Sequence, residues 1–167
     1  WSNEMAYVLG VIYTDGNVRP GILRAPNTPD TLRVGRLTVS QKEPELLHKI
    51  LELMGCNAKL LIRKRRIFEK GASGQVYYFH VNNDRIYDDL IALGLSPNKS
   101  RTIDFPDIPQ DFVRHFVRGC WDGDGSIYFE KAAKMRASYT CGSLKFIERL
   151  VQELYKIGIY KRKILLG

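Results

Sequence analysis

Cysteine and histidine are scarce in this chain, three of each in 167 residues. Cys56, Cys120 and Cys141 are odd in number and lack CxxC spacing, while His48, His80 and His115 lack metal-ligand spacing. That leaves no basis for a disulfide framework or a zinc site, and reduced thiols in an intracellular compartment, cytoplasmic or organellar, are expected. No apolar run approaches the roughly 18 residues of a membrane span. The N-terminus also lacks the basic-then-apolar layout of a signal peptide, so no membrane partner is expected. The chain opens on Trp1 instead of methionine and reads as an excised or trimmed fragment. Acids are outnumbered, 18 against 26 Lys and Arg, which gives a formal charge of +8 and an isoelectric point near 9.5. A surplus of that size calls for a polyanionic partner. Nucleic acid fits better than a membrane face, because no basic amphipathic helix with a clean apolar side is present.

With 44% hydrophobic residues the chain can bury an ordinary core, as one unit or two small halves. Helical spacing and alternation take turns along it. "EMAYVLGVIYTDG" reads as a mostly apolar helix, and "NVRPGILRA" and "RVGRLTVSQ" as strands joined by "PNTPDT". "PELLHKILELMG" is an amphipathic helix from a proline to a glycine, as helix punctuation prefers. "NAKLLIRKRRIF" and "QVYYFHVN" make a second strand pair across "EKGASG", and "DRIYDDLIALG" is a closing helix. Residues 95–109, with three prolines and no periodicity, read as a linker.

After the linker the order restarts. "QDFVRHFVRGCWDGDG" is a helix ending in Asp-Gly, "SIYFEK" and "KMRASYTC" are strands, and "SLKFIERLVQELYKIG" is an amphipathic helix. A constant offset of 109 residues sets Gly10 over Gly119 and Asp15 over Asp124. The serine-to-glycine stretches that contain Lys42 and Lys145 match in length, which aligns those two lysines. The expected organisation is a first half over 1–94, the linker over 95–109 and a second half over 110–167. That second half stops where the first is still in its third strand.

Asp-Gly is a common helix stop, but a repeated one asks for more. The C-terminal end of a helix is partly negative, so a carboxylate there is unfavourable by about 0.3–1 kcal/mol. A divalent cation between two such carboxylates would compensate. Gly10 and Gly119 lie on the face where two helices could approach closely, which would bring Asp15 and Asp124 to one point. A calcium loop beginning at Asp122 fails, because Ile127 stands where glycine is needed and Ala133 where a bidentate glutamate belongs.

"YVLGVIYTDG" and "FVRGCWDGDG" resemble the two motif copies of a single-chain LAGLIDADG homing endonuclease. The resemblance implies an α/β fold of two pseudo-symmetric αββαββα halves, with motif helices at the centre and antiparallel sheets forming a DNA-binding saddle. It also implies metal ligation by Asp15 and Asp124, normally of Mg²⁺, beside the scissile phosphates. Asp122 fits an earlier acidic position of the motif, occupied by Tyr13 in the first copy, and is given only a supporting role. "LTVSQK" matches a strand end where polar side chains organise water, implicating Gln41 and Lys42 as catalytic. Leu144 stands opposite Gln41, which makes that pocket asymmetric and leaves Lys145 as the basic candidate.

Phosphodiester hydrolysis needs an activated water, an in-line approach and charge neutralisation, all of which carboxylate-held metal ions can supply. The strands carry the DNA-binding reading. Leu37 and Val39 oppose Arg36, Thr38 and Ser40; Tyr77, Phe79 and Val81 oppose Tyr78 and His80. In the second copy Met135, Ala137 and Tyr139 oppose Lys134, Arg136, Ser138 and Thr140, while Tyr128 opposes Phe129. Each sheet is expected to have an apolar back and a basic front that reads a major groove. "RKRR" (63–66), with Arg63 and Arg65, is expected to contact phosphates. The expected function is a monomeric, Mg²⁺-dependent nuclease that cuts double-stranded DNA at a long site, as in intron homing. A non-cleaving regulator or RNA-splicing maturase on the same fold is the alternative, and a generic RNA-binding module ranks below both, lacking the usual stacking platform.

Overall fold

The computed structural model describes residues 1–23, 32–66, 73–130 and 134–160. The expected turn "PNTPDT", most of "EKGASG", the ends of several strands (Arg24, Ala25, Ile67, Phe68, Lys131) and the chain end 161–167 lie outside the described residues. None of the described helices is long and apolar enough to cross a membrane.

α1 (Asn3–Asp15) starts where the Ser2 side chain accepts from the Met5 amide at 3.1 Å, which satisfies one of the free donors of a helix start. Residues 6–13 of α1 are all buried, as expected of a central helix packed on every side. β1 (Gly16–Leu23) and β2 (Leu32–Gln41) follow, then α2 (Pro44–Leu53), β3 (Leu61–Arg66), β4 (Ser73–Asn82) and α3 (Asp84–Ala92). Gly55 and Gly94, with φ of +58° and +94°, end α2 and α3 in the left-handed conformation that glycine tolerates. The strands make an antiparallel sheet in the order β1-β2-β4-β3. Its inner face sets Val18, Leu37, Val39 and Phe79 in one core with Leu47 and Ile50 of α2 and Leu90 of α3.

The second half holds α4 (Gln110–Asp124), β5 (Gly125–Glu130), β6 (Lys134–Tyr139) and α5 (Leu144–Lys156). Segment 95–109 is closely packed. It buries Leu95, Lys99, Ile103 and Ile108 and contains a 3-10 turn over Lys99–Arg101. Tyr13, Phe105, Phe116, Tyr139 and Phe146 form an aromatic cluster, with Phe105 and Phe116 edge-to-face at 5.1 Å.

The second strand pair has the expected apolar side but leaves it uncovered among the described residues. β5 and β6 form a two-stranded ribbon whose apolar face is open: Ile127, Phe129 and Met135 are 64%, 75% and 69% exposed. The apolar back expected for the second sheet is covered only at its base, where Tyr139 packs on Trp121 and Phe146. In the first half α2 and α3 cover the corresponding face, and no described element does so here.

α1 and α4 run in the same direction in backbone contact. A Cβ built on Gly10 would lie 2.9 Å from the Gly119 Cα, and one built on Gly119 would lie 3.1 Å from the Gly10 Cα. Both are below ordinary van der Waals separation, so Gly10→Ala should cost about 1–3 kcal/mol by forcing the helices apart. Gly55→Asn, at a left-handed position with nothing within 4 Å of the added Cβ, should cost far less. Urea denaturation of both variants checks the contrast, and similar losses would contradict the close approach.

Candidate metal and nucleic-acid site

Asp15 is the last residue of α1 and Asp124 the last of α4. Because the helices touch at Gly10 and Gly119, their C-terminal turns arrive together. A Cβ on Gly123 would stand 2.8 Å from Asp15 Oδ2. Gln41, at the end of β2, donates from Nε2 to the same Oδ2 at 2.9 Å, and its own Oε1 accepts from the Lys42 amide. The Thr14 hydroxyl donates to the Val11 carbonyl at 2.9 Å and lies 3.4 Å from Asp15 Oδ2.

The carboxylates are electrostatically stressed. Burial, then repulsion from Asp124, raises the Asp15 pKa to about 6, and Gln41, Thr14 and Lys99 pull the other way. Burial also raises Asp124, against the pull of Lys99. Lys99 itself is only 6% exposed; burial lowers its pKa while Asp124 and Asp15 hold it up. Its Nζ donates to the Thr14 carbonyl at 3.3 Å, one of the acceptors that a helix end leaves without an intrahelical partner. The chain thus places an ammonium of its own against the paired helix ends. A cavity of about 130 Å³ on this side is lined by residues that include Tyr13, Lys99, Asp124, Thr140 and Cys141.

Sequence reasoning missed Lys99. The one available signal was that neither α1 nor α4 has a basic residue in its last turn, so the cation had to come from elsewhere in the chain. Lys42 and Lys145 are exposed, and among the described residues neither Nζ makes a hydrogen bond or ion pair. Leu144, opposite Gln41 in the repeat, is 47% exposed. Asp122 is turned away from the pair and accepts from the Tyr7 hydroxyl at 2.6 Å.

The outer face of the first sheet follows from its register. Arg19 is opposite Arg36, Asn17 and His80 flank Thr38, and Ser40 lies opposite Tyr78, which in turn faces Leu61 on β3. Arg63 belongs to this face, its guanidinium 5.3 Å from the Tyr78 ring. Lys64 pairs with Gln75 and points to the other side, so the basic run is divided between two faces. Arg65 pairs with Gly74, and its side chain lies outside the described residues. Several groups are preset: Arg19 Nε donates to Asn17 Oδ1 at 3.0 Å, Arg36 Nε to Asn82 Oδ1 at 2.8 Å, and Thr38 Oγ1 bonds His80 Nδ1 at 2.8 Å. Burial lowers the His80 pKa, as do Arg36 and Arg63. Asn17, Arg19 and Asn82 were not singled out from sequence, because membership of a face depends on a pairing register that alternation alone leaves open.

On the ribbon, Ser126, Tyr128 and Glu130 face Ser138, Arg136 and Lys134. This front, expected to be basic, also carries an acid, and Glu130 holds the Arg136 guanidinium at 2.7 Å. Ser126 and Ser138 bond each other at 2.7 Å. Thr140 lies one residue beyond β6, at the cavity beside Asp124 instead of along the strand.

Comparison with known proteins adds the following. A family model described as a LAGLIDADG-like domain matches residues 111–163, the second half of the repeat. No curated protein matches the chain in sequence. Among solved structures, the homing endonuclease I-WcaI bound to its DNA recognition sequence aligns over 93% of this chain and 69% of its own, with 13% identity and a TM-score of 0.58. The meganuclease I-SmaMI bound to uncleavable DNA aligns over 93% and 72%, with 14% identity and a TM-score of 0.51. I-DmoI, in complex with its nicked target DNA in the presence of manganese, aligns over 93% and 77%, with 15% identity and a TM-score of 0.51. At these identities the likeness is one of fold: a mixed α/β architecture with antiparallel sheets, of the kind seen in LAGLIDADG homing endonucleases.

Proposed function

We propose that the chain is a site-specific endonuclease that hydrolyses both strands of a long double-stranded DNA target, acting as a single chain with Mg²⁺ or another divalent cation. The observation that carries the reading is the meeting of Asp15 and Asp124 at the ends of two touching helices, between strands whose outer faces carry arginine, lysine and hydroxyl groups. The related structures bound to DNA support the partner, and the manganese and calcium used with two of them support a divalent ion.

The residues fit such an ion. Both donors are hard carboxylate oxygens, and among the described residues no group of three or more His, Cys, Asp or Glu side chains is placed to hold a metal ion. That set suits Mg²⁺, which is commonly held by one or two carboxylates with substrate phosphates completing its shell. When bound, the ion supplies an acidified water and neutralises charge on the phosphate. Gln41 fixes one oxygen of Asp15 and leaves the other for a ligand. Lys99 holds positive charge at the same point. Lys42 and Lys145, with unengaged ammonium groups, supply phosphate-binding charge from the rim. Arg19, Arg36, Thr38, Ser40, Arg63, Tyr78 and His80 on the first sheet, with Tyr128, Lys134, Arg136 and Ser138 on the ribbon, present the groove-facing donors and acceptors.

Selection from a randomised duplex library in the presence of Mg²⁺ tests the reading. The wild type should cut selected duplexes, whereas Asp15→Asn and Asp124→Asn should bind them and leave them intact; unchanged cutting by either variant removes its carboxylate from the site. Cleavage should fall on the acid side with a limb near pH 6, because Asp15 must lose its proton to bind a cation and its pKa is about 6. Gln41→Ala removes a hydrogen bond that favours the ionised form, so a pH–rate profile should show the limb shifted upward. Stability has the opposite sign. A folded-state pKa raised above the unfolded value means that ionising Asp15 destabilises the fold as pH rises from about 4 to about 6. Metal-free Asp15→Asn should therefore be more stable than wild type at pH 7, by about 1–2 kcal/mol after discounting for partial exposure. Thermal unfolding at pH 4 and pH 7 checks this, the gain appearing only at the higher pH.

A further inference from the structure

The offset of 109 residues that relates the halves carries Tyr7 onto Phe116 and Tyr13 onto Asp122. Both cross-helix pairs form, with different chemistry. Tyr13 meets Phe116 edge-to-face, with centroids 5.2 Å apart and planes at 80°; both rings are buried, and the Tyr13 hydroxyl donates to the Leu93 carbonyl at the end of α3. Tyr7 meets Asp122 by a hydrogen bond of 2.6 Å. Lys49 of α2 donates to the Tyr7 hydroxyl at 2.9 Å, stands 3.9 Å from Asp122 Oδ2 and lies 4.3 Å from the Tyr7 ring, while Arg118 lies 4.6 Å from the same ring. The end of α1 is thus held by buried aromatic packing, and the end of α4 by a charged relay.

We propose that Tyr7, with Lys49, is a positioning residue for the last turn of α4, acting through Asp122 on Asp124, so that the two strand cleavages depend on different supports. The proposal rests on the nuclease reading above. Donation from a hydroxyl to a carboxylate is among the stronger hydrogen bonds, and a cation on the donor's oxygen polarises it further. The Tyr7 backbone lies in the close helix contact, its carbonyl carbon 3.0 Å from where a Cβ on Gly119 would stand. Asp122 and Asp124 share one helical turn, so a restraint on one limits the other. The Lys49 ammonium also offsets the negative end of α4, where an acidic side chain is otherwise unfavourable. Asp15 has Gln41 and Thr14 beside it, whereas among the described residues nothing hydrogen-bonds the Asp124 carboxylate.

The test uses a selected duplex with the two strands labelled separately. Tyr7→Phe keeps the ring and its cation contacts and removes the hydroxyl. It should slow cutting of one strand about tenfold while the other changes by less than about twofold, so that nicked product accumulates at unchanged DNA affinity. Asp122→Ala should do the same, and Asp122→Asn, which keeps an acceptor for the hydroxyl, should recover most of the rate. In metal-free protein, hydrogen exchange of Tyr7→Phe should quicken at the last turn of α4 and stay unchanged at the last turn of α1. Equal slowing of both strands, no slowing, or unchanged exchange overturns the relay while wild-type cutting keeps the nuclease reading. A wild type that cuts neither strand overturns both.

Discussion

The backbone contact between α1 and α4 sets the geometry on which the remaining structure depends. Gly10 and Gly119 stand where any side chain would meet the opposing helix, and from that point both helices run in register to their final carboxylates. Each helix passes directly into the first strand of its half, at Gly16 and at Gly125, so the same contact fixes where both strand pairs begin. The spacing of the candidate site and the spacing of the two strand pairs are therefore one quantity, set at the centre of the molecule.

The centre is electrostatically costly. Two acids end helices whose own dipoles oppose them, both are driven toward their protonated forms by burial, and the nearest cation is itself desolvated. A fold selected for stability alone would place neutral caps there. Charges kept under strain in one place are a common property of functional sites, where stability and activity pull against each other.

Most of the fold was legible from sequence because its signals were local and repeated. Helical spacing, Pro44, Gly55 and Gly94 located the elements of the first half, and the constant offset carried them onto the second. The meeting of Asp15 with Asp124 could be anticipated from two glycines and a symmetry. Lys99 could not, since it lies in a stretch without periodicity and acquires its meaning only when that stretch folds beneath the helix ends. Arg19 was hidden for a related reason: its face is decided by pairing with Arg36, a long-range fact. The open face of the ribbon escaped notice because alternation reports which residues share a side, and says nothing of whether another element covers that side.

The two strand systems differ as mechanical objects. The first is a four-stranded sheet backed by α2 and α3, whose outer groups are already pinned by neighbours such as Asn17 and Asn82. Among the described residues the second is a two-stranded hairpin, anchored at its base by Tyr139, Trp121 and Phe146 and exposed on both faces beyond it. Two-stranded hairpins are marginal on their own, so the outer ribbon owes its order to a short footing. On the proposed function, a duplex laid across both would meet a preformed template on one side and a compliant one on the other. The ordering entropy of association would then fall mainly on the second half-site, making it the side where sequence mismatch is most readily absorbed.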